Sequence, residues 1–152
     1  MLRKLGPWLM FVAALFVMSL GIALVTRGNL GTTPISSLPL VSSYASSLTF
    51  GETTFLINLL FVAAQWVLLR RSINKVLLLA QIPITLAFSY FIDTSMKFTE
   101  FLSSDVYWKC LAVSMLGNMV LGLGVALEVF SGAAALPGEG LVLAVSTVLH
   151  KP

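Results

Sequence analysis

Charge is what this chain of 152 residues most conspicuously lacks: acidic and basic side chains together make up 10% of it, against 58% hydrophobic residues. A water-soluble domain of this length cannot clothe its surface with so few charges, so the soluble globular class is excluded first. Cysteine occurs once, at Cys110, which rules out an internal disulfide and any multi-cysteine metal site. It stands in an apolar run, where packing rather than reactivity is expected. Histidine also occurs once, at His150, with no partner for metal or nucleophilic work. The formal net charge is +3, but no basic cluster interleaves with aromatic residues, so nucleic acid is not an expected partner. No G-x-x-x-x-G-K-[ST] loop is present to cradle ATP phosphates, and no H-E-x-x-H pair to hold zinc. The serines beside glycine have no histidine base to activate them. The chain therefore reads as a non-enzyme that needs no cofactor, and an intramembrane enzyme is the weakest reading.

What the chain does have is long apolar runs, and the mean hydropathy is +0.98. The run from Trp8 to Val25 is too long for the core of a secretory signal and ends in no small-x-small cleavage site, so it reads as a membrane helix. The expected crossings are about 7–26, 53–69, 76–92 and 109–129, each close to the roughly 20 residues that span a hydrocarbon core. Pro7 suits a first turn, Trp8 interface depth, and Pro83 a kink. Glu52 is an acidic residue in a first turn. The segment 93–105, acidic at Asp93, Glu100 and Asp105, reads as a polar outward connection.

Between the first two runs the pattern breaks at Arg27-Gly28-Asn29-Leu30-Gly31 and restarts at Thr33-Pro34, a helix-start pair with Thr as N-cap and Pro at the first position. A short, serine-rich half-helix over 34–48 is predicted. Were it to cross the bilayer, Arg70, Arg71 and Lys75 would fall outside, against the positive-inside rule. A re-entrant segment puts them in the cytoplasm together with Arg3, Lys4 and the N-terminus. Such a segment is allowed at membrane depth only where protein or a wet cavity covers its backbone.

A shift of 103 positions, Gly21 onto Gly124, brings the same pattern back without a gap. Gly21-Ile22-Ala23-Leu24 falls on Gly124-Val125-Ala126-Leu127, Pro34 on Pro137, Leu38 on Leu141, Leu40 on Leu143 and Ser43 on Ser146. With an odd number of crossings in the first unit, 1–103, the second unit, 104–152, starts from the opposite face. The repeat would then be inverted, with a second break at 131–140 and a second half-helix over 141–149. The second unit would lack counterparts of the helices at 53–69 and 76–92, so the expectation is either that the sequence is part of a longer chain or that a further copy or a partner completes it. The fold class expected is an all-α membrane protein: a polytopic bundle with an inverted repeat, two broken half-helices and an incomplete second repeat.

Gly-Ile-Ala-Leu at 21–24, Gly31-Thr32-Thr33-Pro34 and Leu136-Pro137-Gly138-Glu139-Gly140-Leu141 resemble the YitT/YczE-type family of bacterial integral membrane proteins. The resemblance covers nearly the whole chain. It implies a multi-pass protein of the cytoplasmic membrane, from a family whose members are often labelled as transporters and are usually longer at the C-terminus.

The candidate site residues gather at the two breaks. Glu139, between Gly138 and Gly140, is an ionisable group in a broken helix and could bind a proton or a cation; the alternative is local capping of backbone amides. Glu128 could line the same cavity as Glu139 or snorkel to the interface. Thr32, Thr33, Ser36 and Ser37 surround the first half-helix start, where free N–H groups could meet an anionic ligand or merely be capped. Arg27 is better read as an interfacial anchor than as part of that site. Asn58, Gln65, Gln81 and Asn118 lie within helices, where interhelical hydrogen bonding is the default. Ser114, Asn118 and Gly122 recur every fourth residue as a packing stripe. The leading function is secondary transport or permeation of a small solute or ion, and the alternative is a non-transporting scaffold or regulatory subunit in the lipid bilayer.

Overall fold

The computed structural model describes residues 2–69, 75–134 and 136–149. The Arg70-Arg71 connection and His150 lie outside them. Six helices follow one another: α1 (Leu2–Arg27), α2 (Pro34–Ala45), α3 (Phe50–Leu69), α4 (Lys75–Phe98), α5 (Tyr107–Ser131) and α6 (Pro137–Leu149), with a single 3₁₀ turn at Glu100–Leu102. Within α1, α3 and α5 are stretches long and apolar enough to cross a membrane. This is an all-α membrane protein.

Helix α1 is the central element. It packs mainly on α5 and also on α4, and it is the most buried of the three apolar helices, whereas α5 is the least. Its contact with α5 is antiparallel and close. A Cβ added at Gly21 would lie 2.6 Å from the Leu121 nitrogen, one at Gly117 2.6 Å from the Val25 nitrogen, and one at Gly124 2.7 Å from the Met18 nitrogen. The helices touch backbone to backbone, as small residues allow where lipid supplies no hydrophobic drive between helices. Of the stripe expected at Ser114, Asn118 and Gly122, Ser114 does lie on this seam, against Gly28, and the other two do not. A Cβ at Gly122 meets nothing within 4 Å, and Asn118 bonds to Ser114 of its own helix. The spacing in use is seven residues, Gly117 to Gly124, as the a/d-like seam of an antiparallel helix pair demands.

Helices α3 and α4 form a second antiparallel pair, with Gly51 against Asp93 near one end and Gln65 against Gln81 toward the other. The start of α3 is a capping box: Thr49 N–H donates to Glu52 Oε2 (2.8 Å), and Glu52 N–H to Thr49 Oγ1 (3.1 Å). Asp93 completes this cap from α4, accepting from Gly51 N–H (2.8 Å) and Thr49 Oγ1 (2.7 Å). This corrects the expected end of the helix near residue 92. The helix runs six residues further, to Phe98, because Asp93 is tied to a neighbouring helix end rather than released into a surface loop. Arg27 donates to the Met96 carbonyl (2.8 Å) near the other end of that extension, away from the start of α2.

Helices α2 and α6 are short, 12 and 13 residues. At 1.5 Å per residue each is about 18–20 Å long, well under the roughly 30 Å of a hydrocarbon core. Both pack on α3. The α1–α5 seam yields a direct test. Gly21→Ala and Gly124→Ala should each destabilise the protein by about 1–3 kcal/mol through overpacking, read as a lower midpoint of unfolding in SDS. Gly122→Ala should leave that midpoint unchanged or raise it by up to about 1 kcal/mol. Equal effects at all three positions would contradict this helix register.

Candidate functional site

Both short helices begin at a break, and each break is built by local chemistry. After α1 the chain turns through Asn29 (φ 51°) and Gly31 (φ 138°), left-handed conformations that end a helix. Thr33 then caps α2: its Oγ1 accepts from Ser36 N–H (3.3 Å) and donates to Ser36 Oγ (2.8 Å). After α5, Gly132 (φ 57°) closes the helix in the left-handed C-cap form. Here the residue before the proline is Leu136, which has no polar side chain to act as a cap. Glu128 supplies a link from α5 instead, accepting from Leu136 N–H at 3.2 Å through Oε1.

The two starts meet. A Cβ placed on Gly138, the second residue of α6, would lie 3.5 Å from the Ile35 side chain, and Ile35 is the second residue of α2. Helix α3 holds each short helix through one proline carbonyl: Thr53 Oγ1 donates to Pro39 O (2.9 Å), and Gln65 Nε2 to Pro137 O (3.0 Å). Gln65 also donates to Gln81 Oε1 on α4 at 3.3 Å, the interhelical bond expected of these amides.

Around the meeting point is a cavity of ≈ 190 Å³ to which all six helices contribute. Met18 and Ile22 of α1 and Leu121 and Val125 of α5 place it in the second half of both long helices. Its walls are largely apolar, with Phe61 and Phe88 on one side. The polar exceptions are Thr33 and Ser36 from α2, Thr54 and Asn58 from α3, and Glu139 from α6. Asn58 is buried and faces this space rather than a neighbouring helix.

The predicted site residues divide accordingly. Thr33, Ser36, Gly138 and Glu139 come together on the cavity wall. Glu128 lies just behind, buried to 2% exposure, so it is held inside the protein and does not snorkel. Its charge is close enough to that of Glu139 for the two to repel, and its Oε2 is buried without a hydrogen-bond partner. Three expectations need correction. Ser37 is exposed and bonds back to the Pro34 carbonyl (2.7 Å), because one position along a helix turns it 100° away from Ser36. Gly140 faces Gln65, where an added Cβ would sit 2.7 Å from Oε1, and so serves packing rather than the cavity. Thr32 lines a separate outer recess of ≈ 420 Å³ with Ser114 and Asn118, its own hydroxyl buried and unpartnered.

Sequence reading passed over two features. The Thr49-x-x-Glu52 capping box is legible in the sequence, but its third member, Asp93, is 44 residues away from Thr49. The ties from Thr53 and Gln65 to proline carbonyls have no local signature.

The Gln65 link is measurable. Gln65→Leu leaves both the Pro137 carbonyl and the Gln81 amide without this donor and should cost about 1–3 kcal/mol of stability. In a double-mutant cycle with Gln81→Leu the two losses should be non-additive by at least about 0.5 kcal/mol. Strict additivity would remove the bond between them from the account.

Neither a curated protein nor a solved structure matches the chain. A family model does match, over residues 5–152, and by it the chain belongs to a family of unknown function, DUF6198.

Proposed function

We propose that the protein is a secondary transporter or permease subunit for a small solute or ion. The cavity where α2 and α6 meet would be its site, and Glu139 the carboxylate that carries a coupling proton or cation. The observation that carries this reading is the meeting itself: two helices too short to span a membrane begin at the same cavity, which lies within the length of the long apolar helices α1 and α5. Interrupted helices whose ends converge on a polar point inside an apolar body are the usual construction of a transport site. An ionisable residue in such a place is costly unless it has a task.

An inverted repeat supports the same reading. Under the shift of 103 residues, Ile35 and Gly138 are each other's counterparts, so their contact maps onto itself. Gly21 against Leu121 likewise maps onto Gly124 against Met18. Contacts that exchange in this way are those a two-fold axis would generate. In this reading α2 and α6 are re-entrant from opposite faces, α4 is a fourth crossing, and the N-terminus is cytoplasmic in the plasma membrane. The outer face of α5, apolar at Met115, Leu116, Met119 and Leu123, is where counterparts of α3 and α4 would pack. The resemblance to YitT/YczE-type proteins fits the same assignment.

The test is flux in proteoliposomes of the intact assembly, across a panel of small solutes and ions. Gly138→Leu places a side chain in the cavity and should stop flux, and Glu139→Gln should abolish coupling, with the fold retained in both. A non-transporting scaffold would show no flux with any solute and no solute-dependent rise in thermal stability. Undiminished coupled flux in Glu139→Gln would remove the carboxylate from the mechanism.

A further inference from the structure

The cavity accounts for Glu139 but not for the carboxylate behind it. Glu128 occupies the last turn of α5, where the negative end of the helix dipole disfavours a second negative charge. It is 2% exposed; Oε1 accepts from the Leu136 amide, and Oε2 is buried with no partner at all. Glu139 adds repulsion from the α6 side. Among the described residues no positive side chain answers either group. Among the described residues the cations are few: Arg27 is spent on Met96 and Ser103, and Lys97 and Lys109 are exposed elsewhere. Capping alone explains one oxygen of Glu128 and leaves the other as an uncompensated polar atom in an apolar interior, which is expensive.

We propose that Glu128 and Glu139 hold a monovalent metal cation between the C-terminal end of α5 and the first turn of α6. The ion would bind Glu128 Oε2 and be completed by the Glu139 carboxylate and by carbonyls freed where α5 ends. Helix ends and unwound carbonyls of this kind are suited to alkali cations. A divalent ion is the poorer fit, since calcium takes six to eight oxygens and no group of three or more acidic, His or Cys residues is assembled among the described residues. Glu139 faces the cavity on its other side, so the ion would be in contact with whatever occupies that space. The proposal rests on the transport reading only in calling this ion the coupling ion; its binding requires no flux.

The experiment is thermal unfolding of the purified protein in detergent at constant ionic strength and pH, with choline replaced stepwise by lithium, sodium or potassium. One alkali cation should raise the Tm saturably, by about 5–10 °C at a hundredfold excess over Kd. Glu128→Gln should abolish the rise, and Glu139→Gln should weaken the apparent affinity at least tenfold. Because Glu128→Gln could disturb the Leu136 link, equilibrium binding of radioactive sodium to the Glu139→Gln variant, at a partly buried position that makes no such link, provides a second readout that does not depend on it. A wild-type response in both variants would overturn the proposal. So would a Tm that follows pH alone, with a proton taking the orphan oxygen, or one that responds only to divalent ions. Cation binding without flux would remove transport and leave this site standing. Flux that ignores every alkali cation, with no Tm response, would remove the site and leave transport standing.

Discussion

Backbone amides and carbonyls cannot be left bare inside an apolar body, and the whole arrangement answers that constraint at two points. Where α2 and α6 begin, the helical ladder stops and its first N–H groups need other partners. Proline at the first position of each removes one such donor outright. Thr33 satisfies another in α2, and Glu128 reaches across from α5 to the residue preceding α6. The two starts then abut at Ile35 and Gly138, and α3 holds both by proline carbonyls. The long helices supply the enclosure. Their backbone-to-backbone seam at Gly21, Gly117 and Gly124 keeps α1 and α5 close enough for Met18, Ile22, Leu121 and Val125 to wall the cavity.

The two breaks are alike in outline and unlike in chemistry, and that difference bears on function. The first presents hydroxyls to the short helix, those of Thr33 and Ser36 on one another and that of Ser37 on backbone, while that of Thr32 has no partner. The second carries two carboxylates with no ion pair among the described residues. A purely structural duplication would gain nothing by exchanging Ser36 for Glu139 at matched positions. The cavity is apolar with an acidic residue, Glu139, in its wall. In that respect the interior resembles small-molecule sites generally: concave, largely apolar, and oriented by a few polar groups.

Much of the fold was legible in the sequence, because membrane helices declare themselves through unbroken hydropathy and broken helices through Gly, Thr-Pro and Leu-Pro pairs. Pro34 starts a helix as expected, whereas the second short helix begins at Pro137 and not at Leu141, so the expected break over 131–140 is shorter than predicted. The end of α4 was not legible. Asp93 reads locally as a solvent-facing carboxylate, and only its bonds to Thr49 and Gly51, distant in sequence, extend the helix beyond it. In the site, Glu139, Ser36 and Thr33 could be nominated from their places beside the breaks. The role of Asn58 could not, since an amide in mid-helix reads equally as interhelical glue. Nor could the orphan oxygen of Glu128, since the other oxygen is taken by the Leu136 amide, eight residues on.

The most direct measurement is whether the two helix starts touch in the membrane. With Cys110 replaced by serine, cysteines at Ile35 and Gly138 should form a disulfide on mild oxidation in native membranes, giving a cross-linked species whose mobility in SDS differs from that of the reduced chain. Ile35 paired with a cysteine at the exposed Phe130 should give none. Absence of the Ile35–Gly138 cross-link, with both thiols reactive toward a water-soluble maleimide, would mean that the breaks lie apart in water and that no shared cavity exists between them.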